Sequence, residues 1–152
     1  MAEMAQAKAS DDVSVELSMR RTGMSFQRTR MSADRTLMSV IRTSLSLISF
    51  GFTIYQFFQK LKESGVLKGA APARNFGSSL LLIGVGMLIL GIIYHIAFMV
   101  GLREERTTLK AQGLIHGESK FPPSLTLIIA LLLLIVGVIA ALSMFWHTGP
   151  YD

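Results

Sequence analysis

The chain has 152 residues, 51% hydrophobic and 16% charged, with a formal net charge of +5 and a mean hydropathy of +0.48. It has no cysteine, which excludes a disulfide framework, thiolate catalysis and Cys-ligated iron–sulfur or zinc centres. A core-heavy soluble domain and a small membrane protein both fit these values, so the lengths of the apolar segments decide.

Residues 1–12, MAEMAQAKASDD, are polar and Ala- and Asp-rich, have little to bury, and read as disordered. They lack the basic-then-apolar run and small-residue cleavage site of a secretory signal. Residues 13–37 read as a basic amphipathic helix, because Leu17, Met24, Met31 and Met38 return every seven positions. That helix either lies in the headgroup layer or continues the first span as one rod.

A three-span membrane domain follows over residues 38–146, with spans at 38–59, 77–101 and 124–146. Each is long enough to cross a hydrocarbon core of roughly 30 Å at about 1.5 Å per residue. The second and third contain no Lys, Arg, Asp or Glu. Residues 60–74 make an outer loop, and residues 103–123 a charged inner connection that is helical until near Gly113. Pro122, Pro123 and Ser124 open the third span, since proline is tolerated in a first turn whose N–H groups lack helical partners. Residues 147–152 form a short outer tail. The expected fold is all-α: three transmembrane helices preceded by an amphipathic or continuous N-terminal basic helix.

Basic residues set the expected orientation. Lys8, Arg20, Arg21, Arg28, Arg30, Arg35, Arg103, Arg106, Lys110 and Lys120 fall on one side, against Lys60, Lys62, Lys68 and Arg74 on the other. That excess places the N-terminus in the cytoplasm and the C-terminus outside. The same residues meet anionic headgroups, so the basic charge needs no nucleic acid partner.

From Arg21 to Ile48 the chain reads RTGMSFQ, RTRMSAD, RTLMSVI, RTSLSLI. The arginine position continues as Ser49 and Gln56, and the position four residues later runs Ser25, Ser32, Ser39, Ser46, Thr53, Lys60. Steps of four and three put these on one side of a helix, as a polar seam through the first span. A strict seven-residue repeat drifts about 20° per heptad on a straight helix, so the seam predicts neighbouring helices. Arg28, Arg35 and Arg42 are the anion-binding candidates. Headgroup contact and snorkelling compete with that role for the arginines, and helix–helix hydrogen bonding competes for Ser39, Ser46, Ser49, Thr53 and Gln56.

Small residues at Gly77, Gly84 and Gly91, and at Gly137 and Ala141, mark faces for close helix packing. His95 lies at a depth similar to Arg42 and either tunes it or bonds a neighbouring helix. His95, His116 and His147 share no helical spacing, so no metal site is expected. No catalytic set is visible, and neither enzyme activity nor a cofactor is expected.

The run SADRTLMSVIRTSLSLISFGFTIYQFF, residues 32–58, resembles the signature of the YidH-type domain of unknown function, a family of small three-span membrane proteins. Its residues here are Asp34, Arg35, Thr36, Arg42, Phe50 and Gly51. Val40-Ile41 departs from the aromatic residue that often precedes the second Arg-Thr. The resemblance extends to the membrane part of the eukaryotic vacuolar transporter chaperone complex. It implies that Arg35 and Arg42 match basic residues that line a polyphosphate route there. This chain lacks that complex's polymerase domain. The expected function is a non-enzymatic inner-membrane protein, oligomeric, that binds or conducts an anion such as phosphate or polyphosphate. The alternative is an accessory or scaffold subunit whose seam is only an assembly interface with itself or another membrane protein.

Overall fold

A computed structural model describes residues 1–66, 71–113 and 124–147. They form three helices, α1 (Ala2–Glu63), α2 (Ala71–Ala111) and α3 (Leu125–His147), with no strand among the described residues. The all-α expectation therefore holds. Each helix contains a stretch long and apolar enough to cross a membrane.

The N-terminal basic helix is continuous with the first span, because α1 has no break between residues 13–37 and 38–59. The helix also begins at Ala2, so most of the stretch read as disordered is helical. Ala2, Ala5, Ala7 and Ala9 have the best helix propensity, and low burial capacity alone did not register it.

Helix ends follow local chemistry. After α1, the N–H of Ser64 donates to the Lys60 carbonyl at 3.0 Å and that of Gly65 to Lys62 at 3.1 Å, with Gly65 at φ 72°. After α2, Gln112 donates to Thr108 and Gly113 to Lys110, both at 3.1 Å, with Gly113 again at φ 72°. A left-handed glycine closes both helices because it has no Cβ to clash. This is the stop near Gly113 expected from sequence. At the start of α3 the Leu127 N–H donates to the Ser124 hydroxyl at 3.4 Å, a side-chain cap. Pro122 and Pro123 lie outside the described residues, as do Lys68, His116 and Lys120.

The chain divides into two compact units, Met1–Asp34 with Ile96–Pro122, and Arg35–His95 with Pro123–Asp152. In the first, Phe26 and Leu102 are buried against each other with Leu109 beside them. In the second, α1 and α2 run antiparallel. A Cβ built at Gly51 would meet the Gly77 carbonyl oxygen at 2.6 Å and the Leu81 nitrogen at 2.7 Å. Further along, Gly84 faces Leu47 and Ile48, and Gly91 faces Val40.

The α1 stripe of this unit is Leu37, Ile41, Ser44, Ile48, Gly51 and Tyr55, all buried, in alternating steps of four and three. Those steps average 3.5 residues, the spacing that keeps a seam aligned in a left-handed pair. α3 joins through Ala130, Gly137 and Met144, buried at steps of seven. Leu37, Ile41, Leu88, Ile92 and Ala130 form one cluster, and Ile48, Tyr55, Leu81, Val85 and Met144 another. The Tyr55 hydroxyl donates to the Met144 carbonyl at 3.3 Å.

Candidate functional site

The seven-residue repeat sorts α1 by exposure. In the first unit the recurring Arg21, Met24, Ser25, Arg28, Thr29, Met31 and Ser32 are exposed, and Thr22 is half-buried. In the second, Arg35, Thr36, Ser39, Arg42, Thr43, Leu45 and Ser46 are exposed, and Met38 is half-buried. Every buried residue between Arg21 and Ile48 is instead at a position that varies between repeats: Phe26, Leu37, Ile41, Ser44 and Ile48. The constant letters face out and the variable letters face in.

The inward side has to fit dissimilar residues of α2 and α3, so it cannot repeat. The seam continues on the outward side through Ser49, Thr53, Gln56 and Lys60, all exposed. In the second unit this row lies about 150° around the helix from the packed stripe, at 3.6 residues per turn. Helical neighbours from the same chain therefore cover the other stripe and leave the polar one open. The inward stripe recurs at the same average of 3.5 residues, so the α1–α2 pair accounts for the winding of α1 but not for the repeated letters of the outward seam.

Much of the row satisfies its own hydroxyls. Ser46 Oγ donates to the Arg42 carbonyl at 3.0 Å, Thr53 Oγ1 to Ser49 at 2.8 Å and Thr43 Oγ1 to Ser39 at 3.1 Å. In the first unit Thr29 donates to Ser25 at 3.0 Å. Such back-bonding removes the need for an outside acceptor. The donors left are the guanidinium groups of Arg35 and Arg42, the hydroxyls of Ser39 and Ser49, the amide of Gln56 and the ammonium of Lys60, which have no hydrogen-bond or ion-pair partner among the described residues. Arg28, in the first unit, is likewise exposed and unpaired among them.

A guanidinium carries five N–H donors and no acceptor, so this is a donor row suited to anions. Successive arginines stand about 10.5 Å apart along the axis. At that spacing two extended side chains can converge on one phosphate between them, and an extended anion can meet the whole row.

His95 is buried, 3% exposed, on the face of α2 that packs against α1. Arg42 is on the open face of α1, so the two are not brought together. The pairing of Gly91 with Val40 and Gly84 with Ile48 sets His95 near Leu37 in register, about 7 Å along the axis from the level of Arg42. Gly77 and Gly84 lie in the α1–α2 contact as their spacing suggested, and Gly91 abuts Val40. Gly137 abuts Ile48 and Val85, and Ala141 is half-buried against the cluster around Tyr55.

Sequence reading missed Gly51 as the closest-approach residue on α1. Its signal was an isolated glycine among aromatic residues, level with the first glycine of the α2 series. It also missed Ser44, whose hydroxyl is fully buried with no hydrogen-bond partner among the described residues.

Residues 28–101 match the family model described as Domain of unknown function (DUF202), which supports a DUF202 or YidH-type family. The matched stretch contains Arg28, Arg35, Arg42 and the whole polar row. No curated protein and no solved structure matches the chain. The family match and the three apolar helices together point to a small multi-pass membrane protein.

Proposed function

We propose that the chain is a non-enzymatic protein of the bacterial inner membrane that self-associates through the open face of α1 and binds or conducts an anion along Arg28, Arg35 and Arg42. The observation that carries this reading is that the repeated letters of α1 lie on its exposed side. A bilayer changes with depth and offers nothing that recurs every 10.5 Å or so along its normal. A second copy of the same helix does. Arg42 stands about 6 Å inside the edge of the span at 38–59, where a guanidinium costs less than at the bilayer centre, about 2.5–3.5 kcal/mol, but still gains from shelter. The arginine rows of two copies repel unless an anion lies between them, and that links assembly to ligand. Phosphate or a polyphosphate-like chain is the class taken from the resemblance of Arg35 and Arg42 to the vacuolar transporter chaperone membrane part. The excess of basic residues orients the N-terminus to the cytoplasm and the C-terminus outward.

The second reading is an accessory or scaffold subunit. The back-bonded hydroxyls of Ser46 and Thr53 favour it, because they let the row pack dry against another helix. Reconstitution into liposomes separates the two. Anion flux that falls in Arg42→Ala while the oligomer survives supports a conducting or binding row. Absence of flux in the unaltered protein, with the oligomer dispersed by Ser46→Leu or Thr53→Leu, supports the scaffold. A monomer in mild detergent, with no flux, refutes the first reading and restricts the second to an interface with another membrane protein.

A further inference from the structure

A second polar feature lies away from the α1 seam, within the unit formed by Arg35–His95 and Pro123–Asp152. A cleft of about 200 Å³ opens between Tyr55 of α1, Arg74, Asn75 and Ser78 in the first turns of α2, and Ala141 and Met144 of α3. Leu81, which is buried, and Leu82, which is exposed, complete its apolar lining. Arg74 is half-buried, and its Nη1 donates to Gln59 Oε1 across a long 3.4 Å. Gln59 Nε2 in turn donates to Glu63 Oε1 at 3.1 Å, so the one carboxylate in this chain of contacts is a side chain away from the guanidinium. Arg74 has no ion pair among the described residues.

The other polar groups of the cleft differ in what they have left to give. Ser78 Oγ donates to the Arg74 carbonyl at 3.1 Å and the Tyr55 hydroxyl to Met144, so neither proton is free. The side-chain amide of Asn75 is exposed and makes no hydrogen bond among the described residues. The free donors are therefore those of Arg74 and Asn75, beside a buried floor of Leu81 and Met144, with Ala141 half-buried and Leu82 exposed. A half-buried guanidinium with a single long, neutral contact is a costly arrangement that an anion relieves.

We propose that this cleft holds the headgroup phosphate of an anionic phospholipid, with the acyl chains leaving along the exposed side chain of Leu82. The phosphate chemistry is shared by free inorganic phosphate, and the apolar floor selects the amphiphile: a fully hydrated ion loses hydration there and gains no donor from below. The volume admits a phosphate and a few carbons, so most of the lipid stays in the bilayer.

The single tryptophan, Trp146, lies about 200° around α3 from the cleft-lining Met144, so Trp146→Phe removes it and Leu82→Trp sets a reporter at the cleft, and this reporter protein is the unaltered reference. The protein is placed in vesicles of phosphatidylcholine with brominated phosphatidylglycerol or brominated phosphatidylcholine as quencher. The anionic lipid is expected to be preferred about fivefold, the effect of about 1 kcal/mol for a basic residue at a membrane surface. Arg74→Gln abolishes the preference, whereas Lys62→Gln, at the exposed end of α1, keeps it. Should Arg74→Gln fail to fold, Asn75→Leu carries the test by lowering the preference. Equal quenching by both lipids in the unaltered protein overturns the proposal, as does a preference that survives Arg74→Gln or is unchanged in Asn75→Leu. A preference abolished by inorganic phosphate at matched ionic strength reassigns the cleft to the free ion and overturns the lipid.

Discussion

Replacing Gly51 with alanine tests whether the α1–α2 pair is held by backbone contact. The added Cβ would lie 2.6 Å from the Gly77 carbonyl oxygen and 2.7 Å from the Leu81 nitrogen. Ordinary contact begins near 3.4 Å, and both obstacles are helix backbone that no rotamer change can move. The axes must separate by most of an ångström, and a gap of about 0.5–1 Å forfeits a quarter to a half of the dispersion well for each pair of atoms along the crossing. Overpacking of this kind costs about 1–3 kcal/mol. Gly77→Ala meets the same crossing from the other side, at 2.8 Å from Gly51 oxygen and 2.9 Å from Tyr55 nitrogen, and should cost a similar amount. Gly91→Ala is milder, because its 2.6 Å neighbour is Cγ1 of Val40, a side-chain atom with some freedom to turn away. Gly86→Ala meets nothing within 4 Å and should be neutral. Unfolding in mixed micelles by SDS titration gives the order: Gly51 and Gly77 worst, Gly91 intermediate, Gly86 unchanged. Equal stability of the Gly51 and Gly86 variants refutes the crossing.

Three further substitutions probe single groups, the first two read in the same titration. Tyr55→Phe removes the hydroxyl that joins α1 to the Met144 carbonyl and should cost about 1 kcal/mol, with no loss if the 3.3 Å bond is idle. Ser44→Ala removes a fully buried hydroxyl that has no partner among the described residues, and is expected to be neutral or to stabilise by up to about 1 kcal/mol. A clear loss would show that the hydroxyl is bonded. Gly113→Ala places a Cβ on a residue at φ 72° and should fray the end of α2 at a cost of about 1 kcal/mol, visible as faster amide exchange over residues 108–112.

The three spans and the end of α2 were legible because they rest on local quantities: apolar length, loop charge and a terminal glycine. The small-residue spacing of Gly77, Gly84 and Gly91 likewise marked the α2 face that packs. The facing residue Gly51 was not legible as a contact, since only the antiparallel register of α1 and α2 sets it against Gly77. For the same reason nothing local pairs Tyr55 with Met144, which lies 89 positions away. Period alone could not say which α1 stripe turns inward. Leu37, Ile41, Ser44, Ile48 and the row from Arg35 to Lys60 both recur at 3.5 residues, and a partner decides between them. The rim at Arg74 was read as part of a loop, whereas α2 starts three residues earlier, at Ala71.

The proposed function rests on the open face of α1 meeting another copy. The chain has no cysteine, so single cysteines report contacts without background. Ser39→Cys, Ser46→Cys and Thr53→Cys, oxidised in the native membrane, should each give a disulfide-linked dimer. Ile93→Cys and Leu132→Cys, on exposed apolar faces of α2 and α3, should remain monomeric. Monomers throughout, or crosslinking at Ile93 and Leu132 as ready as at Ser46, would contradict it.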